Sequence, residues 1–567
     1  MKQCNNVIST RRCCFIILSL FNYYIATMSM AANAVNYDVV PMPQSIVEQQ
    51  GEPFVLNNDV KVLAADGLRQ EAEFLQAYVN ELTGLSLTIS EKREKKVNYI
   101  ELTLSPKVKD AEGYVMTVNQ KGVSIVGGAA AGVFYGIQTL RKALVNSQQL
   151  TANSQHLLSP IIITDAPRFS YRGMHLDCSR HFFSVAFVKK YIDLLAMHNM
   201  NVFHWHLTDD QGWRLEIKRW PKLTAVGSQR SGTIIGTNSD LDDHIPYGGF
   251  YTQQEARDIV AYANARHITV VPEIDMPGHM LAALASYPEL GCTGGPYQVG
   301  HYWGVYKDVL CVANERVYQF VADVLTEVMD IFPSEVIHIG GDETPTDKWQ
   351  QCPKCQALSK QLGATMTSED EFSPLTSKLS SLQAHFTKRV FDFLTAHHRR
   401  AMGWDEILDG CPQDAMIMSW RGSEPGAKAA ALGHDVVMTP TTHCYFDYQQ
   451  AEDPQFEPSR CGGFIPVEKV YDLNPVADSL SAKAQAHILG VQANLWTEYV
   501  TNEEMAEYQA LPRMSALAEV QWSQPERKDY KAFLQRLTRL TQLFDRYGYV
   551  YAKHLWPERQ LPSRWQF

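Results

Sequence analysis

The most informative stretch of the chain is Val336-Ile337-His338-Ile339-Gly340-Gly341-Asp342-Glu343-Thr344. Its apolar, β-branched start is typical of a buried strand, and the two glycines indicate a turn. Two carboxylates follow at once. Adjacent residues on an extended chain point to opposite sides, so Asp342 and Glu343 are expected to have different roles. If both face one cleft, their repulsion favours a single shared proton, which leaves one acid and one anion near neutral pH.

An acid beside an anion is the arrangement that glycoside cleavage requires. The competing interpretation is a strand that ends in a solvated acidic turn, which is the ordinary location of acidic residues. The remainder of the chain favours the first interpretation.

From Tyr171 onward the sequence repeats a pattern of strand, polar loop and helix. The strands are predicted at Tyr171–Leu176, Val202–Leu207, Ile268–Ile274, Val336–Ile339, Arg400–Trp404, Ala415–Trp420, Asp435–Thr439 and Ile488–Leu495. The clearest helical stretches between them are Ser184–Met197, Thr252–Arg266, Asn314–Ile331 and Ser377–His397. This alternation predicts parallel strands joined by crossover helices. Eight repeats predict an α/β fold of the (β/α)8 TIM barrel type.

The chain divides into four predicted segments. Residues 1–34 are predicted to be a signal peptide, and residues 35–167 a small α/β domain with a mixed sheet and helices. Residues 168–525 form the predicted catalytic barrel, and residues 526–567 a helical extension packed on it. In that extension Phe533, Leu537, Leu540 and Phe544 recur at helical spacing.

The first residues have the features of an export signal. Lys2, Arg11 and Arg12 precede a mostly apolar stretch, and small residues follow at 31–34. A membrane anchor is the alternative, but Asn22 interrupts the stretch and it is short for a spanning helix. We therefore expect an exported protein, with the periplasm, the cell surface and secretion left open. No later stretch is long and apolar enough to span a bilayer.

Composition excludes one class of partner. The net charge is −11 and the pI is about 5.9, whereas nucleic-acid binding requires a basic face. The sequence leaves the oligomeric state open.

Eight cysteines follow the predicted signal peptide, and export permits their oxidation. Cys292 and Cys311 flank a loop rich in Gly, Pro and Tyr and are the predicted disulfide. Cys352-Pro-Lys-Cys355 is a lone CxxC motif. A zinc ribbon needs a second ligand pair at matching spacing, and the sequence offers none. We therefore predict a local disulfide or two free thiols there, and no metal site.

Polar and aromatic residues collect where the predicted strands end, which is the functional face of such barrels. They are Asp177, Arg180, His204, His206, Asp209, His279, Asp342, Glu343, Trp404, Trp420, Tyr445, Asp447, Trp496 and Glu498. Three tryptophans among them predict an apolar-walled pocket. The charged and hydroxyl groups predict hydrogen bonds to a sugar ring.

Six motifs in this region resemble those of glycoside hydrolase family 20, the β-N-acetylhexosaminidases. They are Met174-His-Leu-Asp177-x-x-Arg180-His181, His204-Trp-His-Leu-Thr-Asp-Asp-Gln-Gly-Trp-Arg214, Pro272-Glu-Ile-Asp-Met-Pro-Gly-His279, His338-Ile-Gly-Gly-Asp-Glu343, Gly403-Trp-Asp-Glu406 and Trp496-Thr-Glu498. They occur in order on successive predicted strands. The segment that precedes the barrel resembles the small domain common in this family.

The resemblance implies substrate-assisted cleavage of terminal β-linked N-acetylhexosamine from glycans, with no metal and no cofactor. It implies that Glu343 is the general acid and base, that Asp342 stays ionised and holds the acetamido N–H, and that Tyr445 donates to the acetamido oxygen. The sugar would be bound by Arg180, Trp404, Trp420, Asp447, Trp496 and Glu498. His279 and Asp209 would support the carboxylate pair. The choice between GlcNAc and GalNAc is left open.

Three alternatives remain at this point. His204 and His206 resemble a ligand pair of metal-dependent barrel hydrolases, although strand five ends without His or Lys. A non-catalytic glycan-binding protein could use the same barrel, but Glu343 is present. A barrel glycosidase could also carry its own nucleophile.

Overall fold

A computed structural model describes residues 36–145, 156–236, 239, 241–363, 381–453, 457, 461–556 and 558. The predicted signal peptide, residues 1–34, lies outside the described residues. Contacts divide the chain into two compact units. One comprises the chain up to Ala166 with Leu534–Leu543, and the other comprises Pro167–Phe533 with the residues from Phe544 onward. Across the described ranges, no helix combines the length and apolar character needed to cross a membrane.

The smaller unit contains a mixed seven-stranded sheet. Its strands, in spatial order, are Ser45–Glu48, Ile161–Asp165, Tyr114–Asn119, Gly122–Gly127, Tyr99–Leu104, Lys61–Ala64 and Thr88–Ser90. Phe54–Leu56 and His156–Leu158 form a separate antiparallel pair. The helices of this unit are Arg69–Thr83 and Ala130–Leu144, together with Leu534–Leu543, which is part of the C-terminal helix. A small α/β domain is thus confirmed.

The helix Ala130–Leu144 is buried along most of its length and approaches the sheet closely. A Cβ atom at Gly136 would lie 2.6 Å from Cγ2 of Ile125 and 3.1 Å from Cδ2 of Tyr114. Glycine is required here because the approach leaves no space for a methyl group.

The larger unit is a closed barrel of eight parallel strands. They are Tyr171–Asp177, Val202–His206, Thr269–Glu273, Val336–His338, Arg400–Trp404, Met416–Ser419, Val436–Met438 and Ile488–Ala493. The first strand pairs with both the second and the eighth, which closes the barrel. The predicted strands and the TIM-barrel fold are confirmed. The strands are largely buried because helices cover one face and packed side chains fill the other.

The helices that follow the first three strands begin at side-chain caps. Ser184 caps Val185–Met197, Thr252 caps Gln253–Asn264, and Asn314 caps Glu315–Ile331. At Thr252 the capping is reciprocal with Glu255, so two backbone N–H groups that the helix leaves unpaired are satisfied. These polar residues fix the helix starts that the sequence predicts.

The other helices of this unit are short or follow later strands. They are Lys222–Ala225, Leu281–Ser286, Asp347–Gln351, Pro353–Gln361, Ser381–Ala396, Glu424–Leu432, Thr441–Cys444, Val467–Asp472, Ala482–Gln485, Glu503–Ala510 and Arg513–Trp522, with 3-10 turns at Pro288–Leu290, Asp405–Leu408 and Pro525–Arg527. Two-stranded pairs in the loops are Thr208–Asp209 with Gly212–Trp213, Gln229–Arg230 with Tyr247–Gly248, and Tyr448–Gln449 with Cys461–Phe464.

The predicted C-terminal helix spans Tyr530–Tyr547. Asp529 caps its start, and Gly548 ends it in the left-handed conformation. The apolar residues that predicted it, Phe533, Leu537, Leu540 and Phe544, are all buried.

The close packing of Gly136, in the helix Ala130–Leu144, predicts that a larger residue there destabilises the fold. Gly136→Ala should lower the free energy of unfolding by about 1–3 kcal/mol, because the new methyl group overpacks a rigid contact. Ile125→Leu in the same chain should restore part of the loss, since leucine lacks the β-branch methyl that the alanine would meet. Urea unfolding monitored by circular dichroism measures both. An unchanged transition in Gly136→Ala would contradict the packing described.

Candidate active site

A cavity of about 180 Å³ lies where the barrel strands end. It is lined by Arg180, Asp342, Glu343, Trp404, Trp420, Tyr445, Asp447, Tyr448, Cys461, Trp496 and Glu498. Every side chain predicted to act directly on substrate is therefore in one place. Parallel strands deliver their carboxyl ends to the same face of the barrel, which brings together residues distant in sequence.

The turn after the fourth strand positions the two carboxylates. Gly340 and Gly341 have φ angles of 68° and 97°, and Glu343 has a φ of 45°. A Cβ atom at Gly340 would fall 1.7 Å from Oδ1 of Asp275, which itself accepts a hydrogen bond from the Gly341 amide at 3.2 Å. The expectation of an extended chain with opposed side chains is therefore wrong, because left-handed backbone turns both Asp342 and Glu343 into the cavity.

His279 lies against both carboxylates. Its Nε2 is 3.5 Å from Glu343 and 3.7 Å from Asp342. On the other side of the ring, Nδ1 is 3.2 Å from Asp209 and 3.1 Å from Asp210. Burial lowers the pKa of His279, but the charge and hydrogen bonds of Asp209 and Asp210 outweigh burial and raise it well above its usual value. The raised pKa favours a protonated imidazole, which lies among four acidic side chains.

Burial and the contact with His279 give Asp342 and Glu343 different pKa values. Burial raises the pKa of Asp342 to about 6, and the charge of Glu343 contributes in the same direction. Burial also raises the pKa of Glu343, but contact with His279 outweighs it and the pKa is lowered overall. Glu343 is also the more open side chain, 43% exposed against 14% for Asp342. Without ligand, Asp342 is therefore the carboxyl group of the pair that takes up a proton first, as the pH falls through about 6, because burial raises its pKa and contact with His279 lowers that of Glu343. The roles of Glu343 as acid and Asp342 as anion stay predictions.

Arg180 occupies one wall of the cavity among several acceptors. Its guanidinium contacts Asp177 at 3.3 Å, Asp209 at 2.8 Å and Glu498 at 3.8 Å. Gln211 accepts a further hydrogen bond from Nε at 3.1 Å. Burial raises the pKa of Glu498, although the charge of Arg180 opposes that change. The predicted Arg180–Glu498 pair is present, and Arg180 also contacts the predicted support residue Asp209.

Aromatic rings form the apolar part of the cavity. Trp404 and Trp496 lie with ring centres 5.8 Å apart and planes at 47°, and Trp420 stacks on Tyr445 at 6.2 Å and 26°. The indole of Trp404 donates to Glu273 at 2.9 Å, and that of Trp420 donates to Glu406 at 3.0 Å. Each donor is therefore satisfied away from the cavity, which leaves the ring faces to make contact with a ligand.

Glu273 is the centre of a buried polar cluster beneath these rings. It accepts hydrogen bonds from His206 at 2.6 Å and Trp404 at 2.9 Å, and its oxygens lie 3.1 Å from His204 and 2.9 Å from His338. Sequence reasoning assigned this cluster no role, although a carboxylate inside an apolar strand was a visible signal. His204 and His206, the ligands of the metal-hydrolase alternative, are thus hydrogen-bonded in the barrel core and do not line the cavity.

Two further residues of the cavity wall were not predicted. Tyr448 and Cys461 come from the paired segments Tyr448–Gln449 and Cys461–Phe464. Asp447 lies beside them, and burial raises its pKa to about 7, with the charge of Glu498 adding to the effect. Tyr448 follows a predicted site residue, but Cys461 has no sequence signal, because it lies far along the chain from any predicted strand end.

The cysteines depart from the prediction. Cys292 and Cys311 are not joined to each other but converge with Cys352 and Cys355, and the four sulfur atoms lie within 4.8 Å of one another. The CxxC pair therefore does have a second pair of partners. The sequence did not reveal it because the two pairs belong to different loops that meet only in the fold.

Comparison with known proteins agrees with this geometry. Residues 169–525 match the catalytic domain of glycosyl hydrolase family 20, and residues 36–166 match domain 2 of the same family. A beta-hexosaminidase of Porphyromonas gingivalis is 39% identical over 547 residues, which cover 95% of this chain and 67% of that protein. A beta-hexosaminidase of Akkermansia muciniphila is 34% identical over 76% of this chain and 83% of its own length.

Solved structures are similar over nearly the whole chain. An exo beta-N-acetylglucosaminidase from Vibrio harveyi, in complex with N-acetylglucosamine, has a TM-score of 0.79 and 32% identity over 92% of this chain and 79% of that one. A mutant beta-hexosaminidase of Streptomyces plicatus, in complex with the product GlcNAc, has a TM-score of 0.76 and 30% identity over 94% of this chain and the whole of that one. This chain belongs to glycosyl hydrolase family 20 and is a glycoside hydrolase of the β-N-acetylhexosaminidase type.

Proposed function

We propose that this enzyme removes single β-linked N-acetylhexosamine residues from the non-reducing ends of glycans, with retention of configuration and with the substrate's acetamido oxygen as nucleophile. The observation that carries the proposal is the consecutive pair Asp342 and Glu343 facing an aromatic cavity. At about 180 Å³ the cavity lies below the range of about 300–1,000 Å³ typical of drug-sized ligands. Such a volume favours one terminal sugar ring.

In the first step the acetamido oxygen bonds to C1 of the sugar as the C1–O bond to the leaving group breaks. Glu343 gives its proton to the leaving oxygen, and an oxazolinium ion forms. In the second step water attacks C1 and Glu343 takes a proton from that water. The bond between C1 and the acetamido oxygen breaks, so the oxazolinium ring opens and the free sugar is formed. Two inversions at C1 give overall retention.

Asp342 is suited to stabilise the acetamido group. Its Oδ1 is buried and accepts no hydrogen bond from any residue that the structure describes. A buried acceptor in this state gains from a donor such as the acetamido N–H. As positive charge develops on the oxazolinium ring, an ionised Asp342 would stabilise it directly. Tyr445, stacked on Trp420, supplies a hydroxyl group to orient the acetamido oxygen.

The proposed reaction requires a protonated Glu343 and an ionised Asp342 in the substrate complex. A bound sugar would remove water from Glu343, which disfavours its ionised form and raises its pKa. An N–H donor at Asp342 would favour the ionised form of that residue and lower its pKa. Both effects of a bound ligand favour a proton on Glu343 and an ionised Asp342.

We also propose that the enzyme is exported, on the strength of the basic and apolar residues at its start. Cell fractionation with activity measured in each fraction would identify the compartment. Activity retained wholly in the cytoplasm would contradict this.

The preference of the enzyme among substrates tests the proposed reaction as a whole. Aryl β-N-acetylglycosides should be hydrolysed at least a hundredfold faster than the matching aryl β-glucosides, because only the former carry the nucleophilic amide. A thiazoline analogue of the oxazoline should inhibit competitively. A trapped glycosyl-enzyme ester, or equal rates on both substrate classes, would instead favour a nucleophile on the protein.

Glu343→Gln removes the proton donor, so its effect should depend on the leaving group. We expect a loss of about 10²–10⁴-fold in kcat/KM with alkyl or sugar leaving groups and a much smaller loss with nitrophenyl glycosides. Steady-state kinetics on both classes measure this. Glu424→Gln, at an exposed helix start, is the matched control and should behave as the parent. Equal losses on both classes would contradict the acid role.

Asp342→Asn should lower kcat by about 10²–10³-fold, comparable with removal of one preorganised electrostatic contact. The loss should appear with good and poor leaving groups alike, because the oxazolinium charge develops with both. Asp409→Asn, at an exposed position, controls for the loss of a carboxylate elsewhere. An unchanged kcat would remove Asp342 from the mechanism.

The pH dependence of kcat and kcat/KM should report the titration of the Asp342–Glu343 pair. In the free enzyme the pair retains a proton below the pKa of Asp342, about 6, and loses it as the pH rises through that value. We therefore expect kcat/KM to fall above about pH 6 and kcat to fall only at higher pH, since bound sugar holds the proton on Glu343. Measurement of kcat and kcat/KM across the pH range with an N-acetylglucosaminide substrate tests both expectations. A kcat/KM that rises through pH 6 would exclude this assignment.

A further inference from the structure

Four cysteines form a compact cluster away from the carboxylate pair. Cys292 and Cys311 belong to the loop after the third barrel strand, where Gly291 and Leu310 form a bridge that brings the two cysteines together. Cys352 and Cys355 belong to the loop after the fourth strand, at the start of the helix Pro353–Gln361. The cluster therefore joins two successive loops of the functional face.

The sulfur positions distinguish metal binding from disulfide bonding. Sγ of Cys311 is 3.9 Å from that of Cys352 and 3.7 Å from that of Cys355, and Cys292 is 3.9 Å from Cys355. A disulfide would require about 2.05 Å. A tetrahedral zinc ion with Zn–S bonds of about 2.3 Å places its sulfurs about 3.8 Å apart. These three separations match the edge of such a tetrahedron, and all four sulfur atoms lie within 4.8 Å of one another.

The donor set is also that of a structural zinc site. Cys311, Cys352 and Cys355 are buried, and Cys292 is partly exposed. Four thiolates are a closed ligand set, with no position left for water or substrate. We propose that these four cysteines bind one zinc ion, which has a structural and not a catalytic role.

The contacts around the cluster indicate what the ion would stabilise. The Leu310 amide donates to Pro277 at 3.1 Å, two residues before His279. The Leu310 carbonyl accepts from the Trp349 indole at 2.9 Å, in the segment that follows Glu343. The ion would thus fix the loop that carries His279 against the loop that carries Glu343. This role makes Cys292, Cys311, Cys352 and Cys355 positioning residues.

Metal content is the primary test. Enzyme purified without chelator, and again after incubation with zinc sulfate and gel filtration, should contain about one zinc per chain by mass spectrometry of the elements. Cys355→Ser should lose most of that zinc, whereas Cys411→Ser, a cysteine outside the cluster, should retain it. Substitution with Co²⁺ should give the thiolate-to-cobalt charge-transfer bands of a tetrahedral sulfur site.

A second measurement covers the case in which Cys355→Ser does not fold. In the parent enzyme, alkylation of thiols should be slow at the cluster until a strong chelator is added, and chelator should lower the melting temperature. Peptide mapping without reductant then distinguishes the outcomes. Disulfides among the four cysteines would overturn the proposal, and so would four free thiols with no zinc after incubation. Neither result would bear on the substrate or on the acid role of Glu343.

Discussion

The buried carboxylate of Glu273 is the interaction on which the active site depends. Within the barrel core it is surrounded by three imidazoles and an indole from the second, fourth and fifth strands. Burial raises its pKa, but the neighbouring histidines outweigh burial and lower it far below the usual value. An ionised carboxylate in such surroundings is stable only while its partners remain in place. The cluster therefore fixes the strand ends that carry the cavity residues, and it orients Trp404 directly.

A series of hydrogen bonds and ion pairs connects this core to Asp342 and Glu343. His206 links Glu273 to Asp209, and Asp209 contacts both Arg180 and His279. His279 in turn lies against Glu343 and Asp342. The pKa values of the carboxylate pair thus depend in part on His279, Asp209 and Glu273, which do not line the cavity. The same arrangement lowers the pKa of Glu343 in the empty site, through its contact with His279.

Local sequence patterns were sufficient to predict the barrel and most members of its cavity, with Tyr448 and Cys461 as exceptions. Strand and helix periodicity is local, and parallel strands must end on one face, so residues as distant as Arg180 and Glu498 could be grouped. Features that depend on three-dimensional approach could not be predicted. The left-handed backbone at Glu343 results from a packed turn, and the lowered pKa of Glu343 results from its contact with His279. The meeting of Cys311 with Cys355 requires two loops to converge.

The polar core also limits how the enzyme can process a chain. Because side chains around Glu273 fill the barrel below the cavity, a sugar released by the proposed reaction would have to leave through the mouth by which it entered. The shortened glycan would have to withdraw from that mouth before the product escapes. Successive residues of one polymer would then be removed in separate encounters, so degradation would be distributive and the shortened intermediates would be released into solution.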